Sequence, residues 1–269
     1  MFRFERYQHI NDLFRHYLNE TGKEAVASLL KSGVRSSEDA EAFSEFVWAI
    51  VERINLDEEE SSRWADTVVT SATKNIAITV HINFKSPKLT EAERLNLINL
   101  AAQGISKYWS REITVDGVLY KVSVTAMHKS DSPLPAILKI DQDTKDYGRS
   151  VNAGVLGVDA RFIYNSGFFQ NTNFADDDFK LVCAHEFGHS VLKAAGGISL
   201  SWGHKGTTGV ISQAVKKSTP GYPNSGPIDL MKYYDDKKQK ASFSQLVNDS
   251  IVSEKDLMRL IWLSKIQWK

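Results

Sequence analysis

Cys183 is the only cysteine among 269 residues, and a lone thiol excludes a framework of internal disulfides. Net charge is absent too: 33 Lys and Arg offset 33 Asp and Glu, and no basic run exceeds a few residues. That balance leaves no electrostatic footprint for a nucleic acid. The one basic cluster, Lys237-Lys238-Gln239-Lys240, follows Asp235-Asp236 and reads as a solvated turn. No apolar stretch approaches the ~20 residues of a membrane span. Internal repeats and low-complexity tracts are missing. Residues 1–18 mix Arg, Glu, His and Asp among aromatics, which is not the pattern of a signal peptide. A chain of this length buries a substantial core, as one large or two modest domains.

What is present is His185-Glu186-Phe187-Gly188-His189. Residues four apart on a helix project from nearly one face, so two imidazoles at this spacing can reach a single ion. Glu186 lies one step around, where its carboxylate can meet a metal-bound water without being a ligand itself. Zinc suits this pattern, because it lowers the pKa of bound water to ~7 and polarises a carbonyl. The surrounding sequence predicts a helix. Asp176-Asp177-Asp178 precedes Phe179, Leu181, Val182, Phe187, Val191 and Leu192 at roughly helical spacing. Acidic residues suit a first turn, and Lys193 followed by Gly196-Gly197 predicts the stop.

Of the seven histidines, His9, His16, His81, His128, His185, His189 and His204, only His204 follows the motif. Residues 197–204 reach up to ~23 Å when extended, enough to return to the metal. His204 is therefore the expected third ligand, with Glu254 or an aspartate among Asp229, Asp235 and Asp236 as alternatives. Cys183 points away from His185 around the helix and reads as packing. Residues 219–227 are rich in Gly and Pro and lead into Ile228-Asp229-Leu230-Met231-Lys232-Tyr233. An apolar methionine in a tight turn below a metal gives the imidazoles a soft, adaptable floor.

In this order, helix motif, lone histidine and methionine turn, the chain resembles the metzincin superfamily of zinc peptidases. The resemblance covers roughly residues 73–269. It implies that Met231 forms the Met-turn, and that Tyr233 approaches the metal and stabilises the oxyanion. The implied fold is α+β: a mixed, mostly parallel twisted sheet, an active-site helix and a C-terminal helix, preceded by an N-terminal helical region. Matching pieces are present. Residues 76–84 and 120–127 alternate as strands, and 136–141 and 160–169 read as further strands. Thr90 with Glu93 opens an amphipathic helix to about Trp109, with Leu97, Ile98, Ala101, Ala102, Ile105 and Tyr108 inward. A strand–helix–strand opening predicts a parallel crossover. Residues 243–264 read as the closing helix.

One departure stands out. The usual metzincin motif has a glycine three residues after the second histidine and the third histidine six after it. Leu192 and Ala195 occupy those positions here, and His204 comes fifteen after His189. Residues 196–203 are thus expected to form an inserted loop.

Residues 1–72 form the expected N-terminal helical region, with helices over 5–31 and after Ser36 and Ser37, and an acidic joint at 55–62. They read as a subdomain packed on the catalytic unit, or as a pro-segment covering the cleft. No cysteine lies upstream of Cys183 to serve as a latch.

The expected activity is zinc-dependent endopeptidase cleavage of a protein or peptide substrate, with Glu186 as general base. A zinc-stabilised module that cleaves nothing, and a zinc amidase acting on cell-wall peptides, are the alternatives. A zinc endopeptidase lacking signal peptide, disulfides and latch is similar to metallopeptidase toxin domains that bacteria deliver into other cells. That likeness implies delivery by a specialised secretion system, or else a cytoplasmic location, and an inhibitor or immunity protein as partner.

Overall fold

In residues 75–85 every second side chain is apolar and large, and the chain extends so that Ile76, Ile78, Val80, Ile82 and Phe84 form one buried row. This strand organises a mixed α/β fold with a curled, mostly parallel sheet. The computed structural model describes residues 64–269 except 71, 116–117, 153–158, 203 and 209–213. The helices expected between residues 5 and 54, and the acidic joint at 55–62, lie outside the described residues.

The strands are β1 (Ala65–Thr70), β2 (Asn75–Lys85), β3 (Arg111–Val115), β4 (Val118–His128), β5 (Pro135–Asp141), β6 (Ala160–Asn165) and β9 (Lys265–Trp268), with a small pair β7 (Ile228–Asp229) and β8 (Ser250–Ile251). The helices are α1 (Glu91–Trp109), α2 (Ser166–Phe169), α3 (Thr172–Trp202), α4 (Phe243–Asp249) and α5 (Glu254–Leu263). The main sheet runs β3-β4-β2-β1-β9, with β5 paired to β2 and β6 to β5. The β2–β4, β2–β5, β5–β6 and β1–β9 pairs are parallel, whereas β1–β2 and β3–β4 are antiparallel. The β2–α1–β4 crossover is the expected one. His81 and Asn83 donate their amides to Trp64 and Leu134, so β1 and β5 occupy the same side of β2 in succession.

Helix α1 begins where its capping box requires, with the Thr90 side chain accepting from the Glu93 amide and Glu93 reaching back to the Thr90 amide. Its buried face, Leu97, Ile98, Ala101, Ile105 and Tyr108, meets the sheet and α3; Ala102 is half-buried beside it. Gly104 lets α1 cross α3 closely, since a Cβ there would run into the Lys180 carbonyl.

Six elements differ from expectation. β1 precedes residue 73 yet pairs along β2; its inward row contains Thr67, hydrogen-bonded to Ser264, so the apolar alternation is thin. β3 and β9 are short strands without a period of their own to read. Residues 166–169 turn into a helix instead of extending β6. Residues 243–264 form two helices, because Ser250–Ile251 pairs with β7 and Ser253 caps α5 through the Asp256 amide. Helix α3 starts at Thr172, four residues before the aspartates, with the Asn171 side chain accepting from the Asn173 amide. Asp176 and Asp178 then serve inside the fold, accepting from the Tyr164 and Tyr147 hydroxyls.

The far end of α3 also differs. Helical backbone passes through Gly196-Gly197 to Trp202 instead of stopping. It cannot be straight: twelve residues of α-helix rise ~18 Å, yet the Ser201 carbonyl lies 2.8 Å from His189 Nδ1. The run therefore folds back between His189 and Ser201, a stretch that contains the glycine pair.

Candidate metal centre

Trp109, the last residue of α1, fixes the stretch of α3 that carries the two histidines. Its indole Nε1–H donates to the Ala184 carbonyl at 3.0 Å, and Phe187 packs edge-on against its ring at 5.0 Å. His185 and His189 then share one face of α3, with ring centroids 4.8 Å apart. Each faces a carbonyl through Nδ1, His185 with Leu230 O at 2.8 Å and His189 with Ser201 O at 2.8 Å. A ring nitrogen opposite a carbonyl must carry the proton, which leaves both Nε2 atoms unprotonated. Burial lowers both imidazole pKa values, most strongly at His189, where His185 and His204 add to the effect. Neutral, singly oriented rings are what a metal requires.

The fold-back of α3 delivers His204 to the same point. Its Nε2 lies 3.4 Å from His185 Nε2 and 3.0 Å from His189 Nε2. Among the described residues these three form the one group of potential ligands close enough to hold a metal ion, with donor atoms all within 4.8 Å of one another. The carboxylate alternatives lie elsewhere. Asp229 pairs with Lys205, Asp235 with Lys238 and Glu254 with Arg111, while Asp236 is exposed. Cys183 is buried in the core, where burial pushes its thiol up and the charges of Glu186 and Asp178 add to the rise.

Met231 is fully buried beneath the motif. A Cβ on Gly188 would run into Met231 Sδ, so the bare glycine makes room for the thioether against α3. The turn that carries Met231 is closed by Asp229, whose carboxylate accepts from the Met231 amide at 3.0 Å. Tyr233 lies with its ring 4.0 Å from that of His204 and nearly parallel to it. Burial raises its hydroxyl pKa, and Arg149 opposes that rise by charge and hydrogen bonding. Glu186 is buried, and burial pushes its carboxyl up to about 8, with Arg149 again opposing.

Three participants carry no signal in sequence spacing. Asn152 donates to both the Glu186 carbonyl and Ser190 Oγ at 2.8 Å, tying the loop before β6 to α3. Arg149 belongs to the same loop. Lys205, next to His204, sits in a cluster of charges behind the histidines. Its Nζ donates to Asp229 at 2.8 Å, Ser253 at 2.9 Å and Asp256 at 2.6 Å, so all three ammonium protons are used. Arg259 donates to the other Asp256 oxygen at 2.6 Å. One cation thus joins the third-histidine loop, the methionine turn and α5.

Burial alone would raise the Asp256 carboxyl, but Lys205, Arg259 and Ser253 together hold it below its ordinary value. Removing it takes a fully buried carboxylate away from two cations, so Asp256→Ala should cost about 3 kcal/mol, read as a lower denaturation midpoint at neutral pH. The sign follows from a depressed folded pKa: the stabilisation is present above the unfolded value of 3.8 and fades as pH falls through the folded one. The wild-type and variant curves should therefore converge in acid.

The edge of β6 away from β5 is partly occupied. Arg161 exchanges both backbone hydrogen bonds with Val151, and the Ile163 amide donates to Ser150 Oγ. No helix among the described residues is long and apolar enough to cross a membrane. No protein-family model, curated protein or solved structure matches the chain.

Proposed function

We propose that the chain is a zinc-dependent endopeptidase with His185, His189 and His204 as ligands and Glu186 as general base. One observation carries this reading: three imidazole Nε2 atoms converge beside a buried carboxylate that follows the first of them. Nitrogens 2.0–2.1 Å from a tetrahedral zinc sit about 3.3–3.4 Å apart, and His204 Nε2 stands 3.4 and 3.0 Å from its two neighbours. Three protein nitrogens leave a fourth position open, which favours a catalytic over a closed structural site.

Bound zinc supplies an acidified water and polarises the substrate carbonyl. Glu186 accepts the proton of the attacking water and passes it to the leaving amine. Its buried surroundings raise its basicity towards that of the water it serves. The Tyr233 hydroxyl donates to the carbonyl oxygen as negative charge grows there. The Leu230 and Ser201 carbonyls keep two imidazoles in the ligating tautomer, and Met231 fixes the floor beneath them.

The test is metal analysis with a cleavage survey on denatured proteins. The purified chain should hold one zinc, lose cleavage to a chelator and regain it on zinc addition. A chain that binds no zinc, or cleaves equally well without it, overturns the reading.

A further inference from the structure

We propose that Lys205 is the positioning residue of the metal centre: through Asp229 and one peptide group it orients His185, and it locks the turn carrying His204 to the methionine turn. This rests on the zinc reading and adds the residue on which the ligand geometry depends.

His185 and His189 need no such device for their spacing, because four residues of helix fix it. His204 comes fifteen residues after His189, on non-helical backbone beyond the end of α3. Its place therefore follows from what holds its neighbours. The Lys205 carbonyl accepts from the Tyr233 amide at 2.9 Å, and residues 205 and 232 form a parallel bridge. Gly206 then takes a φ of 93°, in the left-handed region, and a Cβ there would run into the Tyr233 carbonyl. Thr207 closes the turn, its amide and its hydroxyl donating to the His204 carbonyl at 3.0 and 2.9 Å. The turn of the third histidine is thus pressed on the residues that follow Met231.

The Lys205 side chain extends this contact to a second histidine. Asp229 is the pivot: one carboxylate oxygen accepts from Lys205 Nζ at 2.8 Å and the other from the Met231 amide at 3.0 Å. That amide and the Leu230 carbonyl belong to one peptide group, and the carbonyl faces His185 Nδ1 at 2.8 Å. An unbroken chain of hydrogen bonds therefore runs from the ammonium through a carboxylate and a peptide to a ligating imidazole, each bond polarising the next. The remaining ammonium protons go to Ser253 and Asp256, so the group cannot rotate away from Asp229. A buried ion pair is often replaceable by apolar side chains without loss of stability. Direction is what an apolar side chain does not supply, and a metal ligand needs it.

Lys205→Met keeps the length of the stem and removes the charge. In the full chain its zinc affinity, measured by competition with a chelator, should fall roughly 10–100-fold. With cobalt(II) in place of zinc, its visible absorption bands should change position and intensity, because the three nitrogens no longer hold their spacing. Asp229→Asn keeps the side-chain volume and loses the charge that pairs with Lys205, and it should move both readouts the same way. Arg259→Met is the control, since Arg259 lies on α5 and holds the other oxygen of the same buried Asp256. It should lower the melting temperature and leave zinc affinity and the cobalt spectrum as in wild type. Wild-type affinity and spectrum in either folded variant of the Lys205–Asp229 pair overturns the positioning role. So does an Arg259→Met protein that loses affinity in parallel, because the effect is then one of general stability. A wild-type chain that binds neither zinc nor cobalt overturns the metal reading beneath it.

Discussion

Glu186→Gln should reduce peptide-bond cleavage by about 10²–10⁴-fold while the protein keeps its zinc. The amide is nearly isosteric, remains beside the attacking water, and cannot take its proton. A second consequence separates this carboxylate from an ordinary buried side chain. Its folded pKa is pushed up to about 8 from an ordinary 4.5 by burial, so between those values the folded chain binds the extra proton. Stability of the metal-free protein is therefore lost as pH rises through that window, on the order of 3 kcal/mol at neutral pH. Glutamine carries no such cost. Metal-free Glu186→Gln should melt several degrees above wild type at neutral pH, with the gap closing in acid below the unfolded value. Zinc, by supplying positive charge beside the carboxylate, should narrow the difference. Undiminished cleavage by the variant would sink the role of Glu186, and equal melting of the two metal-free proteins would remove the electrostatic account of its burial.

The parts of this fold with a strong period of their own were legible in the sequence. Strand β2 alternates over its whole length, and α1 announces both its capping box and its buried stripe. The pairing of His185 with His189 follows from helical spacing alone. What could not be read depends on partners far away in the chain. β1 is a strand because β2 and β9 lie on either side of it, and its buried Thr67 finds Ser264. The C-terminal helix splits at Ser250 because β7 is there to pair with it. Gly196-Gly197 reads locally as a stop, yet helical backbone runs through it and folds back, bringing the Ser201 carbonyl to His189. Lys205 looked like any surface lysine, and its three acceptors come from the methionine turn and α5.

His204→Ala should lose zinc and cleavage together while the fold persists. Loss of a partner outside the ligand set typically costs 10–100-fold in metal affinity, and removal of one of three direct ligands should exceed that. The remaining two imidazoles keep their carbonyl partners on Leu230 and Ser201, so they stay oriented but bind the ion weakly. The hydrophobic core should be spared, because the buried apolar cluster built on α1, α3 and β2 does not include His204. A matching Glu254→Ala variant supplies the contrast. That carboxylate sits at the start of α5, half-exposed and 3.4 Å from Arg111, and an exposed pair of this kind contributes only about 0–1 kcal/mol. Its loss should leave zinc content and cleavage within error of wild type. The two variants are compared by metal content after dialysis against a weak chelator, with circular dichroism to confirm the fold. A His204→Ala protein that retains stoichiometric zinc would show that another residue completes the site. The helical fold-back that brings residue 204 to the histidines of α3 would then have no part in metal binding.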